Sequence, residues 1–324
     1  MAKQNGLGAS FFHNGYDVTT DIKSVDRIGM PSALLDKTSI DKSAMVRMYG
    51  LRDGEMLVTA HFDDAAGFSH PVFSALPRTD VHQMYCHRST LASPAAAHIG
   101  KQINYDPVRS ADGDLVSQVQ VLSNLYPVEW GKLLTAGSDN ATGAANTTGV
   151  DFGAGTALNI ADSNVDDSIS TSAAHGLTTN DRVSISGHDS TPSVDGLRTV
   201  TVVDTTNFTV GVNITVGGTA AGTVTPVSKR FGFAAYLTVF AFSGTDATIT
   251  LQESADDGAT DAYAGVTSGG FTAITTAPVV ERIESSLTQV VERYLRLAIT
   301  TTGGFSSMDY AVMAVRYEGA NRES

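Results

Sequence analysis

Along most of the chain apolar and polar residues alternate with a period of two, the pattern of half-buried antiparallel strands. Met56, Val58, Ala60 and Phe62 share one face of such a stretch, and Leu115, Val119 and Val121 share another, opposite Gln118 and Gln120. Phe208, Val210, Val212 and Ile214 alternate with Thr209, Gly211, Asn213 and Thr215. Ala247, Ile249 and Leu251 alternate with Thr248, Thr250 and Gln252. Residues 236–242 are apolar on both faces, as in the central strand of a sandwich. Residues 290–300 and 310–317 are also strand-like. Glu292, Arg293, Arg296 and Arg316 interrupt them, which predicts one face turned to water or to a neighbour. Asp53-Gly54, Asp112-Gly113, Asp195-Gly196 and Asp257-Gly258 are hairpin-type dipeptides between the runs. Helix is scarce. One short helix is expected over residues 68–76, with Ser69 as N-cap, Pro71 in the first turn and Pro77 closing it.

Two segments break the pattern. Residues 136–149 are nearly all small and polar and read as a flexible loop. Residues 158–229 are rich in Asp, Thr, Ser, Val and Gly, and Phe208 is their one aromatic residue. Insertions are tolerated where two chain ends meet at a surface. The stretch therefore reads as a small β domain inserted on the outside of a discontinuous domain made of residues 1–157 and 230–324.

Composition narrows the function classes. Charged residues are 17% of the 324, against about a quarter in an average domain. Glycine is abundant, which suits strands and turns. The net charge is −13, so the basic footprint of a nucleic-acid binder is missing. An acidic surface would instead let a polyanion slide past without sticking. The first residues show no basic region followed by an apolar run, and the most apolar stretch, residues 231–242, is too short to span a bilayer. The expectation is synthesis in a cytoplasm and no membrane partner.

Candidate chemistry is thin. His61, His70, His82, His87 and His98 crowd into forty residues, but no zinc-type spacing occurs among them. Cys86 and His87 are neighbours on an expected strand, where adjacent side chains point apart, and Cys86 reads as a small buried hydrophobe. No Gly-x-Ser-x-Gly elbow is present. Asp256, Asp257 and Asp261 lack the spacing of a calcium loop and read as a tight acidic turn. The expectation is a non-enzymatic protein without metal or cofactor.

Residues 31–54 form a connection longer than compact domains usually need, and such loops tend to carry function. Asp41, Lys42, Met45, Arg47, Met48, Tyr49, Arg52 and Asp53 have the Met, Tyr and Arg content of a protein–protein contact. The alternative is an ordinary solvated loop.

Two resemblances add to this reading. Residues 171–187, Val194-Asp195-Gly196 and residues 199–210 resemble the small β modules of many phage tail and fibre proteins, named for similarity to part of ubiquitin-activating enzyme. That implies a barrel-like module and no ubiquitin chemistry. Residues 3–8, 40–45, 50–54, 70–77, 101–107, 251–258 and 291–297 resemble a family of phage major tail proteins. That resemblance implies a tail-tube-type β-sandwich with a flanking helix, stacked as hexameric rings into the tube through which DNA passes. It also implies that residues 31–54 touch the next ring, and that the partners are further copies, tape-measure, terminator and tip proteins, and DNA held without specific binding. A capsid decoration protein, or a tail-tip or fibre protein that binds the host surface, is the alternative.

Overall fold

The computed structural model describes residues 7–229 and 231–317. Residues 3–6 of the motif at 3–8, the first domain's outer ends and its junction at residue 230 lie outside the described residues. Strands hold 51% of the chain and helix 2%, so the all-β reading with one short helix is borne out.

The body is built on a 13-stranded sheet and a 5-stranded sheet. In the large sheet the order runs Ser10–His13, Val81–Cys86, Pro94–Gln102, Glu129–Leu133, Ser307–Arg316, Phe233–Ser243, Val279–Glu284. Pro94–Gln102 is a branch point. Its first half pairs with Glu129–Leu133 and its last three residues pair with Leu115–Ser123. Gly100 sits at the fork, where a Cβ would collide with the Leu122 carbonyl. From Leu115–Ser123 the sheet continues through Glu55–His61 to Ile22–Gly29, with Asp106–Arg109 on the other side.

The doubly apolar run is central, as its pattern requires. Within Phe233–Ser243, Phe233, Ala235, Leu237 and Val239 face the 5-stranded sheet, where they meet Ile249, Leu251, Leu295 and Leu297. Ala234 and Tyr236 face the opposite way, onto Phe12, Met84, Cys86 and Met313. A third cluster packs Met56, Val58, Ala60 and Val119 against Phe11 and Phe73. Burying the largest of these side chains stabilises by about 1.5–3 kcal/mol each.

Several local expectations are corrected. Residues 136–149 are not a loose loop. Asp139–Ala141 pairs with Ser307–Arg316 in the large sheet, and Ala145–Asn146 pairs with Tyr294–Thr301 in the small one. Small side chains let the backbone cross between the layers there. The helix spans Ser69–Ser74, and its N-cap is Phe68, without a side-chain cap. Ser69 Oγ instead donates to the His61 carbonyl at 2.6 Å, and Asp21 Oδ2 accepts the Ser69 N–H at 2.8 Å. The ladder around Phe208 covers only Asn207–Thr209, because Gly211 turns left-handed at φ 67°.

Residues 158–226 form a 7-stranded sheet in the order Gly196–Thr199, Arg182–Ser186, Thr223–Pro226, Leu158–Ser163, Ser168–Thr171, Asn207–Thr209, Thr201–Val202. The two outermost strands are consecutive in sequence and joined by Val200 alone, so the sheet must curl back on itself. The result is a near-barrel around Ile169, Val183, Phe208 and Val224.

Of the charges expected to turn to water or to a neighbour, Glu292 and Arg316 turn inward, and Arg293 and Arg296 are half-buried. Glu129 with Arg282 adds an interior pair that the sequence did not suggest. Glu129 and Arg282 form a doubly hydrogen-bonded pair at 3.0 Å for each bond. The Tyr236 and Tyr317 hydroxyls donate to the same carboxylate. Glu292 and Arg316 are buried where the barrel meets the body, and Arg293 pairs with Asp151 at 2.7 Å.

Candidate interaction arm

Residues 31–54 form a hairpin rather than an irregular loop. Ser32–Asp36 and Arg47–Arg52 pair antiparallel as a two-stranded sheet that joins no other. The Asp53 N–H donates to the Pro31 carbonyl at 3.0 Å and closes the base. Gly54 then enters the body, where a Cβ would collide with Ser123. Asp53-Gly54 is therefore the root of the arm and not a hairpin turn. At the far end the Lys37 N–H reaches the Val46 carbonyl at 2.8 Å, and Thr38 Oγ1 accepts the Val46 N–H at 2.8 Å.

A ribbon of two strands that leaves its sheet has no core on either face. Leu34 lies opposite Tyr49 and Leu35 opposite Met48. Successive rungs point to opposite faces, so both faces carry apolar groups. Tyr49 is 79% exposed and Leu51 90%. Eight of the twenty exposed large hydrophobics among the described residues fall between Leu34 and Leu51. Isolated apolar residues on a surface are ordinary, whereas a concentration of this kind marks a contact site.

Charge separates the arm from the rest. Residues 31–54 hold four cations (Lys37, Lys42, Arg47, Arg52) and three anions (Asp36, Asp41, Asp53), a net +1, which leaves −14 of the total −13 on the other residues. Lys42 donates to Asp41 at 2.8 Å, and this bond, followed by that from Ser39, holds the Asp41 carboxyl below its usual range. Arg47 Nη2 lies 3.2 Å from Met45 Sδ.

All eight residues singled out from the sequence lie on this arm. Asp41, Lys42 and Met45 are in its end loop, Arg47, Met48, Tyr49 and Arg52 on its second strand, and Asp53 at its root. Sequence reasoning missed the first strand, with Leu34 and Leu35, and the exposed Leu51. The run Ala33-Leu34-Leu35, read as a partner for residues 45–51, was the available signal.

The histidines do not converge. His70 Nδ1 meets the Tyr105 hydroxyl at 2.8 Å, and its ring lies 4.6 Å from that of Phe62. His82 stacks on Tyr236 at 5.2 Å. Gln83 bridges two others: its Nε2 donates to His13 Nδ1 at 3.2 Å, and its Oε1 accepts from His98 Nε2 at 3.0 Å. Ser123 Oγ donates to His98 Nδ1 at 2.8 Å. Cys86 is buried, and burial pushes its thiol up, away from the nucleophilic form. In the acidic turn, Asp256 accepts the N–H groups of Ala259, Thr260 and Asp261. Among the described residues no three His, Cys, Asp or Glu side chains gather as a metal site, and no helix is long and apolar enough to cross a membrane.

No family model matches this chain, and no curated protein matches it either. One similar solved structure is the Dit protein of phage SPP1, described as a hub of the adsorption apparatus in phages that infect Gram-positive bacteria. It is 11% identical, with 95% of this chain and 99% of that chain covered and a TM-score of 0.28. A superposition that loose assigns neither fold nor role.

Proposed function

We propose that this chain is a structural virion protein whose arm binds further copies of itself, and that it builds a tail tube from stacked hexameric rings. The observation that carries the self-assembly is the arm: a two-faced apolar hairpin with a small positive charge, on a chain that is otherwise strongly acidic. A second copy offers the complementary charge to steer it. Unpaired strand edges support the same reading. Ile22–Gly29, Asp106–Arg109 and Val279–Glu284 each pair on one side only among the described strands. Joining such edges between subunits removes an aggregation liability and closes a barrel. Stacking of the rings then gives a tube. The hexameric, stacked form and the passage of DNA rest on the resemblance in the sequence.

The second reading, a tail-tip, fibre or capsid decoration protein, is favoured by the separate barrel, which gives such a protein a second surface for a host or capsid contact. Negative-stain electron microscopy of the concentrated protein separates the two. Rings or tubes with a central hole are expected. A discrete monomer or trimer at every concentration would overturn the tube and leave the second reading.

A further inference from the structure

Of the three strand edges named above, two are blunted. Ile22–Gly29 carries two register shifts against its partner, and Pro107 sits within Asp106–Arg109. Bulges and prolines of this kind keep an edge from taking another strand. Val279–Glu284 has neither, and it runs in unbroken register against residues 234–239.

The ladder decides which of its backbone groups look outward. The Ser285 N–H donates to the Phe233 carbonyl at 3.1 Å. Bonded and non-bonded pairs alternate in an antiparallel ladder, so Val279, Glu281 and Ile283 are bonded to Phe233–Ser243. Val280 and Arg282 turn their N–H and carbonyl groups the other way, and no other described strand pairs with them.

A cleft of about 200 Å³ opens beside this edge, between residues 280–282 and Asp80, Val81, His82 and Ile99. Small-molecule sites run to roughly 300–1,000 Å³, so the cleft suits one side chain better than a ligand. One wall lacks a polar partner. His82 is 3% exposed. Its Nδ1 meets Thr238 Oγ1 at 3.2 Å, and its Nε2 has no hydrogen-bond partner among the described residues. A buried polar atom left in that state is costly.

The arm carries the complement. The bond from the Lys37 N–H to the Val46 carbonyl fixes the alternation there, so Arg47 and Tyr49 turn their backbone groups to the arm's outer edge. When two outward residues pair, their side chains lie on one face. Tyr49 set opposite Val280 therefore lands on the face of Thr238, which lies directly across from Val280, and so beside His82. A phenol both donates and accepts, which satisfies either tautomer of His82. A tyrosine buried with its hydroxyl bonded is a strong interface anchor. In its own chain Tyr49 is exposed, so its own cleft does not hold it.

Charge favours the same match. Asp80, Glu129, Glu281 and Glu284 against Lys101 and Arg282 give the seat −2, and Arg47–Arg52 carries +2. Opposite charges of this size steer docking and fix register. A second Val279–Glu284 strand would bring like charge instead.

We propose that the Val279–Glu284 edge receives the strand Arg47–Arg52 of a second copy, whose Tyr49 fills the cleft and bonds His82 Nε2. This rests on the self-assembly reading and names the surface that the arm engages.

Hydrogen–deuterium exchange on the full chain, dispersed by dilution and assembled by concentration, tests the seat. Peptides covering residues 279–284 and 47–52 should both exchange about ten-fold more slowly in the assembled chain. Tyr49→Phe keeps the ring and removes the hydroxyl. It should weaken association about ten-fold by sedimentation, with the unfolding free energy unchanged. Assembly without slowing at residues 279–284 would overturn the seat and leave self-assembly standing, as would a Tyr49→Phe chain that associates like the parent. Slowing at residues 279–284 but not at 47–52 would overturn the arm as the occupant. A chain that stays dispersed at every concentration would overturn both the seat and the assembly.

Discussion

His13, His82 and His98 are enclosed as neutral imidazoles, and burial holds them at about 3, about 3 and about 4 respectively. Each is lowered from 6.5, so between about 6.5 and those values the unfolded chain binds protons that the folded chain refuses. Stability from these groups is complete above about 6.5 and is lost as pH falls. Three such groups set a slope of up to about 4 kcal/mol per pH unit. Urea unfolding of the dispersed chain should therefore weaken steeply between about pH 6 and about pH 4; a flat profile would mean that water and protons reach the rings. None of this was legible in the sequence. The five crowded histidines drew attention as a cluster, yet the working partners are remote: Gln83 is 70 residues from His13, and Ser123 is 25 from His98. Strand pairing creates those neighbours, with His13 directly across from Gln83, and no local motif records it.

Elements were legible where one face is buried. Ala247, Ile249 and Leu251 are fully buried on Ala247–Ser254, as their alternation requires. The arm escaped that logic because neither of its faces has a core, so Leu34-Leu35 and Met45-Val46 sit side by side without alternation. The Met, Tyr and Arg content that suits a contact was still readable from residue type. An element with no buried face contributes little to the fold it leaves. Tyr49→Asp or Leu51→Asp should thus change unfolding free energy by no more than about 0.5 kcal/mol. The same changes should abolish assembly on size-exclusion chromatography. Assembly that persists with both substitutions would place the contact elsewhere, whereas a large loss of stability would mean that the arm folds back onto the body.

At the scale of the whole molecule, a shift in composition marked out residues 158–229, and the sheet that forms there recruits no strand from outside residues 158–226. Joining Gly155 directly to Pro226 should leave a soluble, β-rich body by circular dichroism, because no cluster of the body loses a member. Aggregation of that chain would show that the barrel is needed for folding. The attachment itself was illegible, since Arg182 reaches partners 79 and 110 residues away. The laddering on either side of the barrel also bears on how the molecule would take tension. Val150–Asp151 pairs with Tyr294–Thr301 before the chain enters the barrel, and Ser228–Lys229 pairs with Val291–Glu292 after it returns. A pull carried by the ladders of the body would then reach the barrel only through its two short connections.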